Sequence, residues 1–291
     1  MNPSLDALTH PRPRSELVAS WHANEPFVVH GLKDSVAALT RLPFLDSLDV
    51  LLKSWPDEVR VNLPDRQDEA SSISASTQDA RKLFANGMAL LFNDVQAISP
   101  VLGEWLEAIR RDLGVSALTQ GRCLVYATPA GQGTAPHFDQ NLNFVLQLHG
   151  TKTWLVGPNH HVRNPLTRHT MGLPLDPELE TYASLPMPHA MATDSRSIVL
   201  EPGSLVFVPP GCWHSTHAAT DALSLNFTYT APAWLDVFMA ALRSRLAVSS
   251  EWRETAVPAR VERLDALLRE LALDVPEWQA ADILAVTESE R

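Results

Sequence analysis

The apolar positions of this chain change their period twice. Between residues 99 and 114, "SPVLGEWLEAIRRDLG", Leu102, Trp105, Leu106, Ile109 and Leu113 recur three and four residues apart. That spacing puts side chains on one face of an α-helix. Ser99 stands at its N-cap, Pro100 suits the first turn and Gly114 closes it. The stripe reads as core packing. From about 120 to 232 the apolar runs are short and strand-like. "CLVYATPA", "NFVLQLHG", "TKTWLVGP", "SIVLEPG", "SLVFVPPG" and "ALSLNFTY" are separated by glycine, proline and asparagine, the pattern of a β-sandwich or barrel with tight turns. Helical spacing then returns in "PAWLDVFMAALRSRL" and in "PARVERLDALLRELA", where Val261, Leu264, Leu268 and Leu271 share a face.

Upstream, "EPFVVHGL" (25–32) and "EVRVNLP" predict strands, and "SVAALTRLPFLDSLDVLLKSW" predicts helical pieces broken at Pro43. The polar stretch 65–80, "DRQDEASSISASTQDA", reads as a solvated loop or a helix start. "HPRPR", near the start, reads as part of a mobile, proline-stiffened leader. The stretch 158–196, rich in His, Pro and Arg, is too long for a hairpin turn and predicts an Ω-like insertion or a lid. The expected organisation is a mixed helix and strand region (1–118), a β core with that insertion (119–232) and a helical region (233–291). The terminal helices suit a small bundle, a homodimer interface or packing on the chain's own core.

With 45% hydrophobic residues in 291, there is ample material for a packed core. A formal charge of −11 argues against a general grip on nucleic acid or an anionic membrane, and it admits a basic peptide or protein as partner. Cys123 and Cys212 both lie in apolar runs, so buried free thiols and a reduced compartment are expected. No apolar run has the length of a signal-peptide core or a membrane span, and the chain reads as cytoplasmic.

The chemistry concentrates in "GTAPHFDQNLNF" (133–144). In a strand, residues i and i+2 share a face, so His137 and Asp139 can turn an imidazole and a carboxylate toward one ion. "VPPGCWHSTHAA" offers a third ligand, His214, where a strand returns after the Pro209–Pro210–Gly211 turn. His217 competes for the role, but three residues on it would face the other way on a regular strand. Two histidines and one carboxylate form the facial triad of non-haem Fe(II) oxygenases, which leaves three positions open. A 2-oxo acid takes two of them and dioxygen the third.

"TAPHFDQNLNF…GTKTW" followed by "PPGCWH…LNF" resembles the JmjC/cupin-type Fe(II)/2-oxoglutarate-dependent oxygenases, and within them protein hydroxylases such as the asparaginyl hydroxylase of hypoxia signalling and the bacterial ribosomal oxygenases. The match covers about 120–230 and, more loosely, the 25–32 strand and the helix before the core. It implies a mostly β core with flanking helices, a double-stranded β-helix (jelly-roll, cupin-like) barrel, with iron on His137, Asp139 and His214. Carried over position by position, it implies Lys152 on the distal carboxylate of 2-oxoglutarate, helped by Thr134. It further implies Asn143 and Asn226 as amides lining the pocket and Tyr126 as a pocket residue. An asparagine inside the strand "LSLNFTY" is uncommon unless its amide is satisfied, which favours a pocket role. Trp154, Trp213 and Phe227 read as packing, and Gln147 and His149 as strand polars or pocket residues.

The implied activity is oxidative decarboxylation of 2-oxoglutarate to succinate and CO2, coupled to hydroxylation of a side chain in a protein or peptide. Two rivals are an oxygenase of a small molecule or natural-product peptide, with 158–196 as lid, and a catalytically inactive cupin-like binding protein. A groove at the barrel mouth would favour a polypeptide and a sealed cavity a metabolite.

Overall fold

The computed structural model describes residues 2–32, 34–64 and 71–289. Its contacts separate the chain into one compact unit of Met1–Val115 with Gln120–Thr230 and a second of Ser116–Thr119 with Ala231–Arg291.

In the first unit the strands are β1 (Phe27–Val29), β2 (Val59–Asn62), β3 (Ser72–Ala75), β4 (Ala89–Phe92), β5 (Gln120–Thr128), β6 (Gly133–Phe138), β7 (Leu142–His149), β8 (Lys152–Gly157), β9 (His169–Thr170), β10 (Arg196–Leu200), β11 (Leu205–Val208), β12 (Trp213–Ala218) and β13 (Ala222–Thr230). They pair antiparallel into two sheets, ordered β1-β11-β7-β13-β5-β4-β2-β3 and β10-β8-β12-β6-β9. The expected closed barrel is therefore not formed by hydrogen bonding. The smaller sheet ends in the two-residue β9 and in β10, and among the described residues no ladder joins either edge to the larger sheet.

Alternation along the strands of the larger sheet decides what each face does. Leu142, Phe144 and Leu146 of β7, Cys123 and Val125 of β5, and Leu225, Phe227 and Tyr229 of β13 enter one hydrophobic core. The intervening Asn143, Val145, Leu124, Tyr126, Ser224, Asn226 and Thr228 line a cavity on the other face. Helices α1 (Leu5–Thr9), α2 (Arg14–His22), α3 (Ala37–Thr40), α4 (Leu48–Ser54), α5 (Thr77–Ala85) and α6 (Pro100–Leu113) contribute to the same core. Helix α6 buries Leu102, Trp105, Ile109 and Leu113, and Gly114 closes it in the left-handed region (φ 67°). The Tyr229 hydroxyl donates to the Leu106 carbonyl at 2.8 Å, tying α6 to β13.

Two expectations near the N-terminus are corrected. The supposed leader is folded: α1 and α2 bury Leu5, Leu8 and Leu17. Arg12 of "HPRPR" lies over the Phe27 ring at 4.1 Å and donates to the Val28 carbonyl. Within 65–80, residues 65–70 lie outside the described residues; 72–75 form β3, paired with β2, and α5 begins at Thr77. The strand was hidden because serine dominates it and it forms an edge, with little apolar alternation to read.

The 158–196 stretch carries β9 and α7 (Pro177–Tyr182). It builds a small core in which Val162 and Leu179 meet Phe138 and Trp213. In the second unit, α8 (Trp234–Leu246), α9 (Val261–Asp274) and α10 (Ala280–Ser289) follow. On α9, Val261, Leu264 and Leu268 are exposed and Leu267 is buried. Among the described residues, no helix is long and apolar enough to cross a membrane.

Candidate active site

The site begins with a register. His137 of β6 stands directly opposite His214 of β12, and their ring centroids are 4.1 Å apart. Each ring uses Nδ1 on a carbonyl two residues back, His137 on Ala135 at 2.8 Å and His214 on Cys212 at 2.9 Å. A carbonyl only accepts, so each Nδ1 carries the proton and each Nε2 keeps its lone pair for a metal. Asp139 follows one residue after β6 ends, and its carbonyl accepts from Gly211 N at 2.7 Å. Its Oδ2 lies 3.6 Å from His214 Nε2 and 3.9 Å from His137 Nε2. One ligand atom from each of the three residues falls within 4.8 Å of the others. Two imidazoles and a carboxylate on one side of a cavity suit a divalent cation with open positions.

The carboxylate has two further partners. Asn143 Nδ2 donates to Asp139 Oδ2 at 3.1 Å, and Thr228 in turn donates to Asn143 Oδ1 at 2.9 Å. Arg168 Nε lies 3.2 Å from Asp139 Oδ1. Trp154 is stacked on His214, with centroids 5.7 Å apart and planes inclined by 20°.

All three members of the triad, with Lys152, Thr134, Asn143, Asn226 and Tyr126, line one cavity of about 260 Å³. Lys152, at the start of β8, is 4% exposed, and among the described residues no acid pairs with it. The Tyr126 ring centroid lies 6.0 Å from its Nζ. Burial alone pulls its pKa down to about 8. Asn226 Oδ1 is buried without a partner. A desolvated cation and an unsatisfied amide in one cavity mark a place that a polar anion would complete. Thr134 Oγ1 meets Thr216 Oγ1 at 2.9 Å.

Thr134 reaches the cavity against simple strand parity. Between the pairs His214–His137 and Thr216–Thr134 the ladder shifts, with three steps on β6 facing two on β12. This bulge turns Thr134 and His137, an odd number apart, to the same side. The competing ligand His217 is exposed and lies away from the cavity. His149 binds the Leu45 carbonyl at 2.8 Å, while Gln147 is fully buried, bonded to Ser224 and the His149 carbonyl. Neither lines the cavity. Arg168 and Thr216 were missed by sequence reasoning. Arg168 sits in an insertion without periodicity, and Thr216 is an ordinary strand threonine until β12 is paired with β6.

Comparison with known proteins gives the same region. Residues 106–237 match the JmjC domain family, and residues 191–286 match an AraC-like ligand binding domain. The Bacillus subtilis (strain 168) protein YxbC is 29% identical over 259 residues, 87% of this chain and 78% of that protein. Chicken (Gallus gallus) ribosomal oxygenase 1 is 31% identical over 181 residues, 59% of this chain and 27% of its own length. The chain thus spans about a quarter of that relative. A structure of YcfD, a ribosomal oxygenase from Escherichia coli, in complex with cobalt and 2-oxoglutarate shares the fold, with a TM-score of 0.55 and 17% identity over 92% of this chain and 67% of that one. Over residues 106–237 the chain is thus similar to the JmjC domain, and in sequence and fold it is similar to ribosomal oxygenases.

Proposed function

We propose that this protein is an Fe(II)- and 2-oxoglutarate-dependent hydroxylase of a side chain in a protein or peptide. The observation that carries the reading is the convergence, in one cavity, of the His137–Asp139–His214 cluster with the buried, unpaired Lys152. One group suits a divalent metal, the other a dianion. His137, Asp139 and His214 would hold Fe(II), which with 2-oxoglutarate and dioxygen supplies the oxidising power for C–H hydroxylation and releases succinate and CO2. Lys152 binds the distal carboxylate of 2-oxoglutarate, and the Thr134–Thr216 hydroxyl pair, Asn226 and Tyr126 orient it. Asn143 fixes the Asp139 carboxylate through its 3.1 Å bond. The hydrophobic walls, Val145 and Trp154 among them, exclude water and strengthen each of these interactions.

We further read the two sheets as the halves of a double-stranded β-helix. The chain alternates between them, with β5, β7, β11 and β13 in one and β6, β8, β10 and β12 in the other.

Cavity size favours a polypeptide substrate. Small-molecule sites commonly enclose about 300–1,000 Å³, and about 260 Å³ is available here for the co-substrate as well. A single side chain entering from a polypeptide laid across the mouth fits that space better than a separate metabolite. The ribosomal oxygenases similar to this chain are named for a ribosomal target, in keeping with such a substrate. A basic target accords with the net charge of −11. The cavity rim adds little to that preference, because Arg122 is matched by Asp94 and Arg168 by Asp139.

The test is succinate formation from 2-oxoglutarate with Fe(II) and ascorbate, joined to a mass-spectrometric search for a product heavier by one oxygen atom in peptides and cell extract. No succinate under any of these conditions would leave the inactive binding protein as the better reading. Oxygen gain confined to metabolites would favour the small-molecule oxygenase.

A further inference from the structure

We infer that Arg168 is a positioning residue of the metal centre, holding the outer oxygen of Asp139 so that the carboxylate presents a single oxygen to the two histidines. The inference rests on the reading of His137, Asp139 and His214 as the metal centre. Asp139 lies just beyond the end of β6, where strand pairing no longer dictates its orientation. Its two oxygens are nonetheless divided. Oδ1 faces the Arg168 guanidinium at 3.2 Å. Oδ2 turns toward the two Nε2 atoms, at 3.6 and 3.9 Å, and accepts from Asn143. A carboxylate held on both sides has lost its rotation, and that is what fixes it as a one-oxygen ligand.

Arg168 is itself held in place. The next two residues form β9, in which Thr170 pairs with His137 and His169 with Phe138. Met171 N donates to the Pro136 carbonyl at 2.9 Å. Phe138, between His137 and Asp139, and Trp213, immediately before His214, pack with Val162 and Leu179 of the insertion. The insertion is thereby fastened to both strands that carry the histidines, and it delivers Arg168 from their outer edge. This gives the 158–196 stretch a role in assembling the metal site.

Two effects of the guanidinium oppose each other. Its charge draws electron density from the carboxylate and weakens it as a ligand, while its ion-pair contact preorganises it. Groups that orient metal ligands are typically worth about 10–100-fold in metal affinity, so preorganisation is expected to win. The sign of the effect decides.

The experiment titrates metal-free full-length protein with Co(II) alone, by calorimetry and by the visible absorption of bound Co(II). The expected result for Arg168→Met is a loss of about 10–100-fold in Co(II) affinity with altered absorption bands. Arg168→Gln, which keeps an N–H donor, and Arg168→Lys, which keeps the charge, should each recover part of it. These milder changes also carry the test if the methionine variant folds poorly. Affinity unchanged or increased in Arg168→Met and Arg168→Gln overturns the inference and leaves the metal centre standing. If the parent binds no Co(II), or binds it equally well as His137→Ala, the metal centre is wrong and the role of Arg168 falls with it.

Discussion

Replacing Lys152 by methionine should move stability and activity in opposite directions. Methionine fills nearly the same volume and carries no charge. In the free protein the ammonium sits at 4% exposure with no acid beside it among the described residues, and burial holds its pKa at about 8 against an ordinary 10.5. That gap amounts to about 3 kcal/mol against the charged form. Removing the charge should therefore stabilise the metal-free, ligand-free protein by about 1–3 kcal/mol. The size of the gain depends on pH. Below pH 8 the lysine is charged in both folded and unfolded chains, and the whole penalty is present. Between 8 and 10.5 the unfolded chain holds more protons than the folded one, so parental stability rises with pH and the advantage of Lys152→Met shrinks.

The same substitution removes the cation proposed to meet the distal carboxylate. Urea unfolding of parent and variant, followed by tryptophan fluorescence at pH 7 and again near pH 10, checks the first half. The second half is checked by the apparent KM for 2-oxoglutarate and by protection from unfolding on adding Co(II) with 2-oxoglutarate. At about 100 times Kd such a ligand adds roughly 2.7 kcal/mol to the parent, and the variant should show little gain over Co(II) alone. A lysine that merely packs would give a less stable variant with unaltered 2-oxoglutarate kinetics. Either half of that pattern refutes the assignment.

Other expectations are simpler to state. His137→Ala and Asp139→Ala should each lower 2-oxoglutarate turnover more than about 100-fold and lose Co(II) binding by calorimetry, with circular dichroism unchanged. Gly133→Ala should destabilise by about 1–3 kcal/mol in urea unfolding, because a Cβ there would lie 1.8 Å from the Thr216 carbonyl oxygen across the β6–β12 pair. Burial raises the Cys212 thiol to about 12 and pushes Cys123 higher still. Neither should react with a disulfide reagent in the native protein at pH 8, and both should react once urea unfolds it.

What the sequence revealed depended on whether a feature repeats. The α6 stripe and strands β5, β7, β8, β10, β11 and β13 show as regular apolar runs, and the alternation in "NFVLQLHG" and "ALSLNFTY" already separates a core face from a polar one. Asn143 and Asn226 stand out because they interrupt neither pattern and still sit between buried neighbours. Features set by pairing between distant segments leave no such trace. The bulge that turns Thr134 inward exists only once β6 lies against β12. The contact of Arg168 with Asp139 spans a stretch with no period at all. The leader was misjudged because prolines were read as stiffening, although Leu5, Leu8 and Leu17 were already placed to bury.

Register, more than residue identity, produces the site. On the β8–β12 ladder Lys152 stands opposite Ala218, Trp154 opposite Thr216 and Val156 opposite His214. These pairs are two residues apart, so the cation, the stacking ring and the ligand histidine share the cavity face. Slipping β8 by one residue would offer Thr153 and Leu155 instead and turn Lys152 outward, leaving the composition unchanged and the anion site gone. The same holds for the β6–β12 pair, which sets His137 opposite His214 and leaves Asp139 free to turn just past the strand end. Because both ladders share β12, the ligand histidines and the proposed co-substrate cation are fixed in one frame. The groups outside it, Asp139 and Arg168, are those whose orientation must be secured by side-chain bonds. There substitution should change metal affinity first and stability least.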